Sequence, residues 1–137
     1  MPQLHYTLHV NVSPERAWAV VGDLAGVSSW IPGIVSSTVE GSERFCTDAA
    51  GNAIHEQISD YSETGRSYRY AHLQVPLPVR DSHGQFSVIS NGDGAIVRWD
   101  AAFEVLDPAQ ETAVVTMVDT YYQQTVESLR RKIESQP

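Results

Sequence analysis

One long amphipathic segment near the C-terminus constrains the fold of this chain more than any other stretch. Asp107 and Pro108 are typical of the cap and first position of a helix that continues to about Ser135. At about 100° per residue, its apolar and aromatic side chains share a sector roughly 140° wide. They are Val114, Val115, Val118, Tyr121, Tyr122, Thr125, Val126, Leu129 and Ile133. A face this broad needs a broad apolar partner, and a β-sheet is the natural one.

The residues before this helix predict strands with one helical interruption. Alternation over Leu4–Val12 is typical of a half-buried strand. Ser13 and Pro14 then begin a helix that Gly22 can close, and a second short helix is predicted over Gly26–Trp30. Further strands follow, separated by turn residues: Val35–Glu40, Glu43–Thr47, Ala53–Ser62, Ser67–Val75, Ser82–Ser90 and Ala95–Leu106.

The short connections between these strands imply antiparallel pairing. The predicted fold class is therefore α+β, with a seven-stranded curved antiparallel sheet wrapped around the C-terminal helix. Two short helices follow the first strand. We expect residues 1–137 to form a single domain, since this length is enough for one hydrophobic core.

Charge and cysteine content exclude several functions. A formal net charge of -8 disfavours binding to nucleic acids and to anionic membranes. Cys46 is the single cysteine and the histidines are scattered, so we predict no disulfide, no metal site and no cofactor. The N-terminus lacks a signal-peptide layout, and no apolar run approaches the roughly 20 residues of a membrane span. These features predict a soluble cytoplasmic protein, monomeric or homodimeric.

Two groups of residues resemble a known family. The first group is Ser13-Pro14-Glu15-Arg16-Ala17-Trp18, Asp23 and Trp30-Ile31-Pro32-Gly33. The second is Leu77-Pro78-Val79, Gly84-Gln85-Phe86, Gly92-Asp93-Gly94 and Trp99–Phe103. Together they resemble the START-like, helix-grip superfamily, and within it the polyketide cyclase/dehydrase and lipid-transport branch. The superfamily includes enzymes, lipid carriers, plant hormone receptors and pollen allergens, so the resemblance implies a fold rather than one activity.

Four residues at three sites depart from relatives of this fold. Branch members often carry Tyr at the position of Ser82, and Gly-Leu in the last helix where this chain has Thr125-Val126. Plant abscisic-acid receptors use a Lys on the second strand to hold a carboxylate, and Val35 aligns with it here. The resemblance therefore does not favour an acidic, hormone-like ligand.

Tyr68, Tyr70 and His72 form the most prominent constellation of polar side chains. Residues of one parity share a face of a strand, so these three point the same way. If that face is concave, they lie opposite Tyr121 and Thr125 of the long helix and orient a ligand or act as general acid and base. Alternatively, the tyrosines are core residues with satisfied hydroxyls and His72 is close to solvent.

Glu56 lies between Ile54 and Ile58 in parity, so an inward isoleucine pair would carry this carboxylate inward. A buried carboxylate must be hydrogen-bonded or protonated, which would make Glu56 a functional candidate. The alternative is a solvated residue at a wet edge. His55, on the opposite parity, is predicted to be external.

The remaining features concern the volume and mouth of a cavity. Pro76-Leu77-Pro78 is a stiff connection that by resemblance borders the cavity mouth, although it is equally consistent with a plain loop. Small residues would leave room if they face inward: Ala71, Ser82, Gly84 and Ala101. Trp18, Trp30 and Phe45 are expected in the core or at the cavity rim. An elongated, mostly apolar pocket follows.

The leading prediction is binding or carriage of a hydrophobic or aromatic small molecule, lipid or polyketide-like, between sheet and helix. The predicted ligand-binding residues are Glu56, Tyr68, Tyr70, His72, Pro78, Phe86, Trp99, Tyr121 and Thr125. The alternative is a polyketide cyclase or dehydratase that uses His72, Glu56 or Tyr68. A third class is an interaction protein with a vestigial pocket.

Overall fold

A single antiparallel sheet packs its inner face against the last helix of the chain. The structure is a computed structural model and describes residues 1–135. The strands are β1 (Gln3–Val10), β2 (Ile34–Glu40), β3 (Glu43–Asp48), β4 (Ala53–Ser62), β5 (Ser67–Gln74), β6 (Val79–Asn91) and β7 (Gly94–Val105). Their order across the seven-stranded sheet is β1-β7-β6-β5-β4-β3-β2, and β1 and β2 form the edges. The predicted helix-grip fold class is confirmed.

The first helix, α1, spans Pro14–Val21 and begins and ends as the sequence predicts. Ser13 Oγ accepts a hydrogen bond from the Arg16 amide at 3.2 Å. At the other end the Gly22 amide donates to Trp18 O, and a Cβ at Gly22 would lie 2.5 Å from Trp18 Cε2. The second predicted helix is a 3₁₀ segment over Leu24–Ser29, so it begins two residues earlier than expected.

The long helix, α2, spans Glu111–Glu134 after a short 3₁₀ turn over Pro108–Gln110. Asp107 caps that turn, because its Oδ1 accepts from the Ala109 amide at 3.0 Å. The predicted apolar face is confirmed: its most buried members are Val114, Val118, Tyr122, Thr125, Leu129 and Ile133. No helix within residues 1–135 is long and apolar enough to span a membrane.

A bulge near the start of β6 changes which residues face inward. The pairing of β6 with β7 is irregular between Arg80 and His83, and Asp81 has a positive φ of 51°. A bulge inserts a residue and re-aims the side chains that follow it. Ser82 and Gly84 consequently face the interior, and β6 begins three residues before the predicted Ser82.

The expectation that Phe45 lies in the core or at the cavity rim is wrong, and two of the small residues do not leave room in the interior. Phe45 lies on the outer face of the sheet and stacks on His55, with ring centroids 4.4 Å apart. Ala71 also belongs to the outer face, because its neighbours Tyr70 and His72 point inward. Gly84 does face inward but leaves no free volume, since a Cβ there would lie 2.5 Å from Tyr70 Cζ.

Candidate functional site

A cavity of about 510 Å³ lies between the first half of α2 and the β3–β5 part of the sheet. This volume is in the usual range for small-molecule sites. Most of the wall is apolar or aromatic: Trp30, Ile31, Pro32, Ile34, Cys46, Ile54, Tyr70, Val75, Leu77, Phe86, Trp99, Val118, Tyr121 and Tyr122. The described residues therefore enclose a site suited to a mainly apolar ligand.

Stacked aromatic side chains form one wall of the cavity. Phe86 and Trp99 stack with centroids 5.0 Å apart, and Tyr122 lies 4.3 Å from Trp99. The Trp99 indole N–H donates to Tyr70 Oη at 2.9 Å, which fixes both rings. Three predicted ligand-binding residues, Tyr70, Phe86 and Trp99, thus lie on this wall. Such a surface favours flat or apolar groups.

Four polar side chains on adjacent strands form a continuous chain of contacts, here called the polar row: Arg44, Glu56, His72 and Ser82. Arg44 lies opposite Glu56 across β3 and β4, and Glu56 lies opposite His72 across β4 and β5. Arg44 Nε donates to Glu56 Oε1 at 2.7 Å. His72 Nε2 is 3.3 Å from Glu56 Oε2, and His72 Nδ1 is 2.7 Å from Ser82 Oγ. Arg44, Glu56 and His72 line the cavity.

The row holds a buried carboxylate in its ionised form. Glu56 is 6% exposed and Arg44 is 2% exposed. Burial by itself would raise the pKa of Glu56, but the hydrogen bond from His72 and the Arg44 guanidinium lower that pKa to about 2. When His72 carries its proton on Nε2, it donates to Glu56 and accepts from the Ser82 hydroxyl. Both carboxylate oxygens and both ring nitrogens then have partners.

Tyr68 supports the polar row from behind rather than lining the cavity, which corrects its predicted position. It is fully buried, and its hydroxyl accepts from Arg44 Nη1 at 3.5 Å. Arg44 Nη1 also donates to Leu24 O at 3.3 Å. Burial raises the pKa of Tyr68, so the phenol stays protonated. Tyr68 therefore has no route to contact a ligand.

The loop between β5 and β6 forms part of the cavity wall. Val75, Pro76 and Leu77 line the cavity, whereas the predicted Pro78 is exposed and lies off the wall. Pro78 instead uses its carbonyl to accept from the Leu106 amide at 3.0 Å. The alternation of side chains along a strand does not continue into a loop, so it could not show which of these loop residues faces the cavity.

Two predicted residues of α2 lie on the wall and also fasten the helix. The Tyr121 hydroxyl donates to Pro32 O at 2.7 Å, which ties α2 to the segment after the 3₁₀ helix. Thr125 Oγ1 donates to Tyr121 O at 2.9 Å, so its hydroxyl is already used within the helix. Thr125 therefore presents mainly its methyl group to the cavity.

Arg44 is the buried charged residue of the wall that sequence reasoning missed, along with other wall residues such as Ile34 and Cys46. The sequence feature that could have revealed Arg44 is the turn between β3 and β4. Pairing Thr47 with Ala53 around Asp48–Asn52 places Arg44 opposite Glu56 three residues further along. A cation facing a predicted inward carboxylate is a recognisable ion pair.

Other reactive chemistry has little support in the described part of the chain. Burial, with the nearby Glu56 charge, raises the pKa of the Cys46 thiol to about 11, so the thiol stays protonated. Within residues 1–135 no group of three or more His, Cys, Asp or Glu side chains is placed to hold a metal ion.

Comparisons with known proteins agree with this architecture. The model of a family described as polyketide cyclase/dehydrase and lipid transport matches residues 1–134. The chain belongs to this family. A search of curated proteins gave no match. The family description names two kinds of role, polyketide cyclase/dehydrase and lipid transport.

Solved structures share the fold at low sequence identity. XoxI from Bacillus cereus is 22% identical with a TM-score of 0.86, covering 98% of this chain and 97% of that one. A START superfamily protein from Mycobacterium smegmatis is 16% identical with a TM-score of 0.82, covering 96% and 97%. The di-domain ARO/CYC BexL, from the BE-7585A biosynthetic pathway, is 17% identical with a TM-score of 0.84. That match covers 98% of this family member and 47% of BexL. At these identities the likeness establishes the START-like fold alone.

Proposed function

We propose that this protein reversibly binds a hydrophobic or aromatic small molecule in the cavity between the sheet and α2. One observation carries the proposal: a cavity of about 510 Å³ is lined mainly by apolar and aromatic side chains, while the buried Arg44, Glu56 and His72 side chains are bonded to one another. A cavity of this size also argues against an interaction protein with a vestigial pocket.

The alternative role as a cyclase or dehydratase lacks a free base. Both reactions need a proton removed next to a carbonyl and a donor at the developing oxyanion. Glu56 is a weak base, because its pKa is lowered to about 2 and both its oxygens are engaged. His72 contacts Glu56 and Ser82 through its two ring nitrogens, and Tyr68 is behind the wall. These contacts favour binding over catalysis.

The binding proposal is tested by filling the cavity from one strand. Cys46 is buried on the inner face of β3, so Cys46→Phe should place a ring in the cavity. A hydrophobic fluorescent dye should bind the wild-type protein with a Kd on the order of micromolar. We expect Cys46→Phe to weaken this binding by at least about tenfold, a change of about 1.4 kcal/mol.

Thr47→Phe is the matched control, because Thr47 is the next residue of β3 and its side chain faces outward. It should leave dye affinity within about threefold of wild type. Equal affinity in Cys46→Phe and wild type, with both folded by circular dichroism, would place the dye outside the cavity and contradict the proposal. Chemical conversion of a bound polyketide-like substrate, lost in His72→Ala, would instead support the enzyme.

A further inference from the structure

Arg44 keeps one hydrogen-bonding group unused. A guanidinium carries five N–H donors. Those of Nε and Nη1 point to Glu56, Leu24 O and Tyr68, whereas Nη2 has no hydrogen-bond partner among residues 1–135. Nη2 is not enclosed by protein either: in the described residues, the enclosed side-chain atom without a partner is Trp30 Nε1. Since Arg44 lines the cavity and is 2% exposed, Nη2 is a buried donor open to the cavity.

The charge of Arg44 is already matched. Glu56 lies 2.7 Å from Arg44 Nε and stays ionised, so the two formal charges cancel. The titratable groups that interact electrostatically with Glu56 are Arg44, Cys46, Tyr68, Tyr70, His72 and Tyr122. Among these, Arg44 is the one permanent cation. Arg44 thus offers an arriving ligand a hydrogen bond without an uncompensated positive charge.

An anionic ligand would meet a second carboxylate at this point. A ligand carboxylate that reaches Nη2 would share one guanidinium with Glu56 in a poorly hydrated site, where like charges repel strongly and desolvation is costly. A carbonyl oxygen accepts the same hydrogen bond and brings no charge. The polar row therefore distinguishes two ligands of equal shape by charge alone.

We propose that Arg44 and Glu56 together select ligands whose polar end is a neutral hydrogen-bond acceptor, such as a ketone or ester carbonyl, and reject carboxylates. In this arrangement Arg44 Nη2 donates to the acceptor, and Glu56 is the residue that determines specificity. The inference rests on the proposed binding function and narrows its ligand class. It also predicts that loss of the Glu56 charge converts the cavity into a site for acids.

Three naphthalene derivatives of similar shape test this selectivity by isothermal titration calorimetry at neutral pH. They are 2-acetylnaphthalene, sodium 2-naphthoate and 2-ethylnaphthalene as the hydrocarbon reference. The wild-type protein should bind the ketone at least about tenfold more tightly than the naphthoate. In Glu56→Gln, which keeps the side-chain shape, naphthoate affinity should rise at least about tenfold while that of the hydrocarbon stays within about threefold.

Glu43→Gln serves as the matched control, because Glu43 lies on the same strand as Arg44 but bonds His55 on the outer face. Its selectivity should equal that of wild type. The wild-type protein should also bind the ketone more tightly than the hydrocarbon, and Arg44→Met should remove this advantage, because Nη2 is lost. Equal affinities of ketone and naphthoate in the wild-type protein, with the hydrocarbon bound, would overturn this inference and leave the binding function standing. Failure of all three ligands to bind would overturn both.

A pH series on the wild-type protein tests the same point without any variant. Naphthoic acid becomes neutral as the pH falls toward the ligand's own pKa, and Glu56 stays ionised there because its pKa is about 2. If the neutral form alone binds, apparent affinity should rise about tenfold per pH unit until that pKa is reached. The ketone should show a flat profile over the same range. A flat naphthoate profile at the ketone's affinity would overturn the inference.

Discussion

The two halves of α2 cover very different parts of the same sheet. In the second half, Leu129 and Ile133 are 1% and 0% exposed and join the packed hydrophobic core. In the first half, Val118 and Tyr122 are also buried, at 2% and 6% exposed, but face the cavity. The apolar stripe of the helix is continuous, so the helix does not create the difference. The sheet beneath does, because its β3–β6 part carries the polar row and leaves space unfilled.

The largest expected effect comes from breaking the polar row. Arg44→Ala should destabilise the protein by about 3–5 kcal/mol, because Glu56 would remain buried without its cation. Chemical denaturation of the single variant measures this loss. The double variant Arg44→Met/Glu56→Gln removes both charges and should regain much of the stability. A single-variant loss below about 1 kcal/mol would show that water, rather than Arg44, compensates Glu56.

A smaller effect is expected in the packed half of α2. Leu129→Ala should cost about 2–4 kcal/mol, because its side chain is enclosed by the core. Dye affinity should stay within about threefold, since Leu129 does not line the cavity. Glu127→Ala, on the exposed side of the same helix, should change the free energy of unfolding by no more than about 0.5 kcal/mol. A parallel loss of dye affinity in Leu129→Ala would show that the two halves are coupled.

The packed half was the easier half to predict from the sequence. Periodicity places Leu129 on the apolar stripe of α2, and it places Ile133 there as well. Both deductions need one element at a time. Hydrophobic burial dominates in the packed half, so the apolar character of each residue is enough to predict that it is buried.

The cavity half depends on contacts between elements, which one strand does not reveal. Arg44 is buried because the register with β4 supplies Glu56, and Phe45 is outward for the same reason. Read alone, the strand would favour Phe45 inside and Arg44 outside. Tyr68 and Tyr70 share a parity, yet Arg44 and Trp18 lie against Tyr68, and Tyr70 alone of the two reaches the wall. Whether an inward side chain reaches the cavity or lies behind its wall depends on packing between elements, and the alternation along one strand does not show it.

Acid titration sharpens the comparison, because the one buried carboxylate among residues 1–135, Glu56, lies in the cavity half. The pKa of Glu56 falls from 4.5 to about 2 on folding. The unfolded chain therefore takes up a proton first as the pH drops, so the stabilisation is complete above pH 4.5 and is lost as pH falls toward 2. The shift corresponds to about 3 kcal/mol.

Glu56→Gln isolates this contribution, because the exposed carboxylates are common to both proteins and cancel in the difference. Denaturation curves recorded from neutral pH into the acid range should converge, with the gap in unfolding free energy narrowing by about 3 kcal/mol. The direction is decisive. If burial instead raised the pKa of Glu56, the wild-type protein would gain stability relative to Glu56→Gln as the pH falls. Parallel curves would mean that folding leaves the pKa of Glu56 unchanged. Convergence at low pH follows only if Arg44 and His72 hold the Glu56 charge inside the cavity wall.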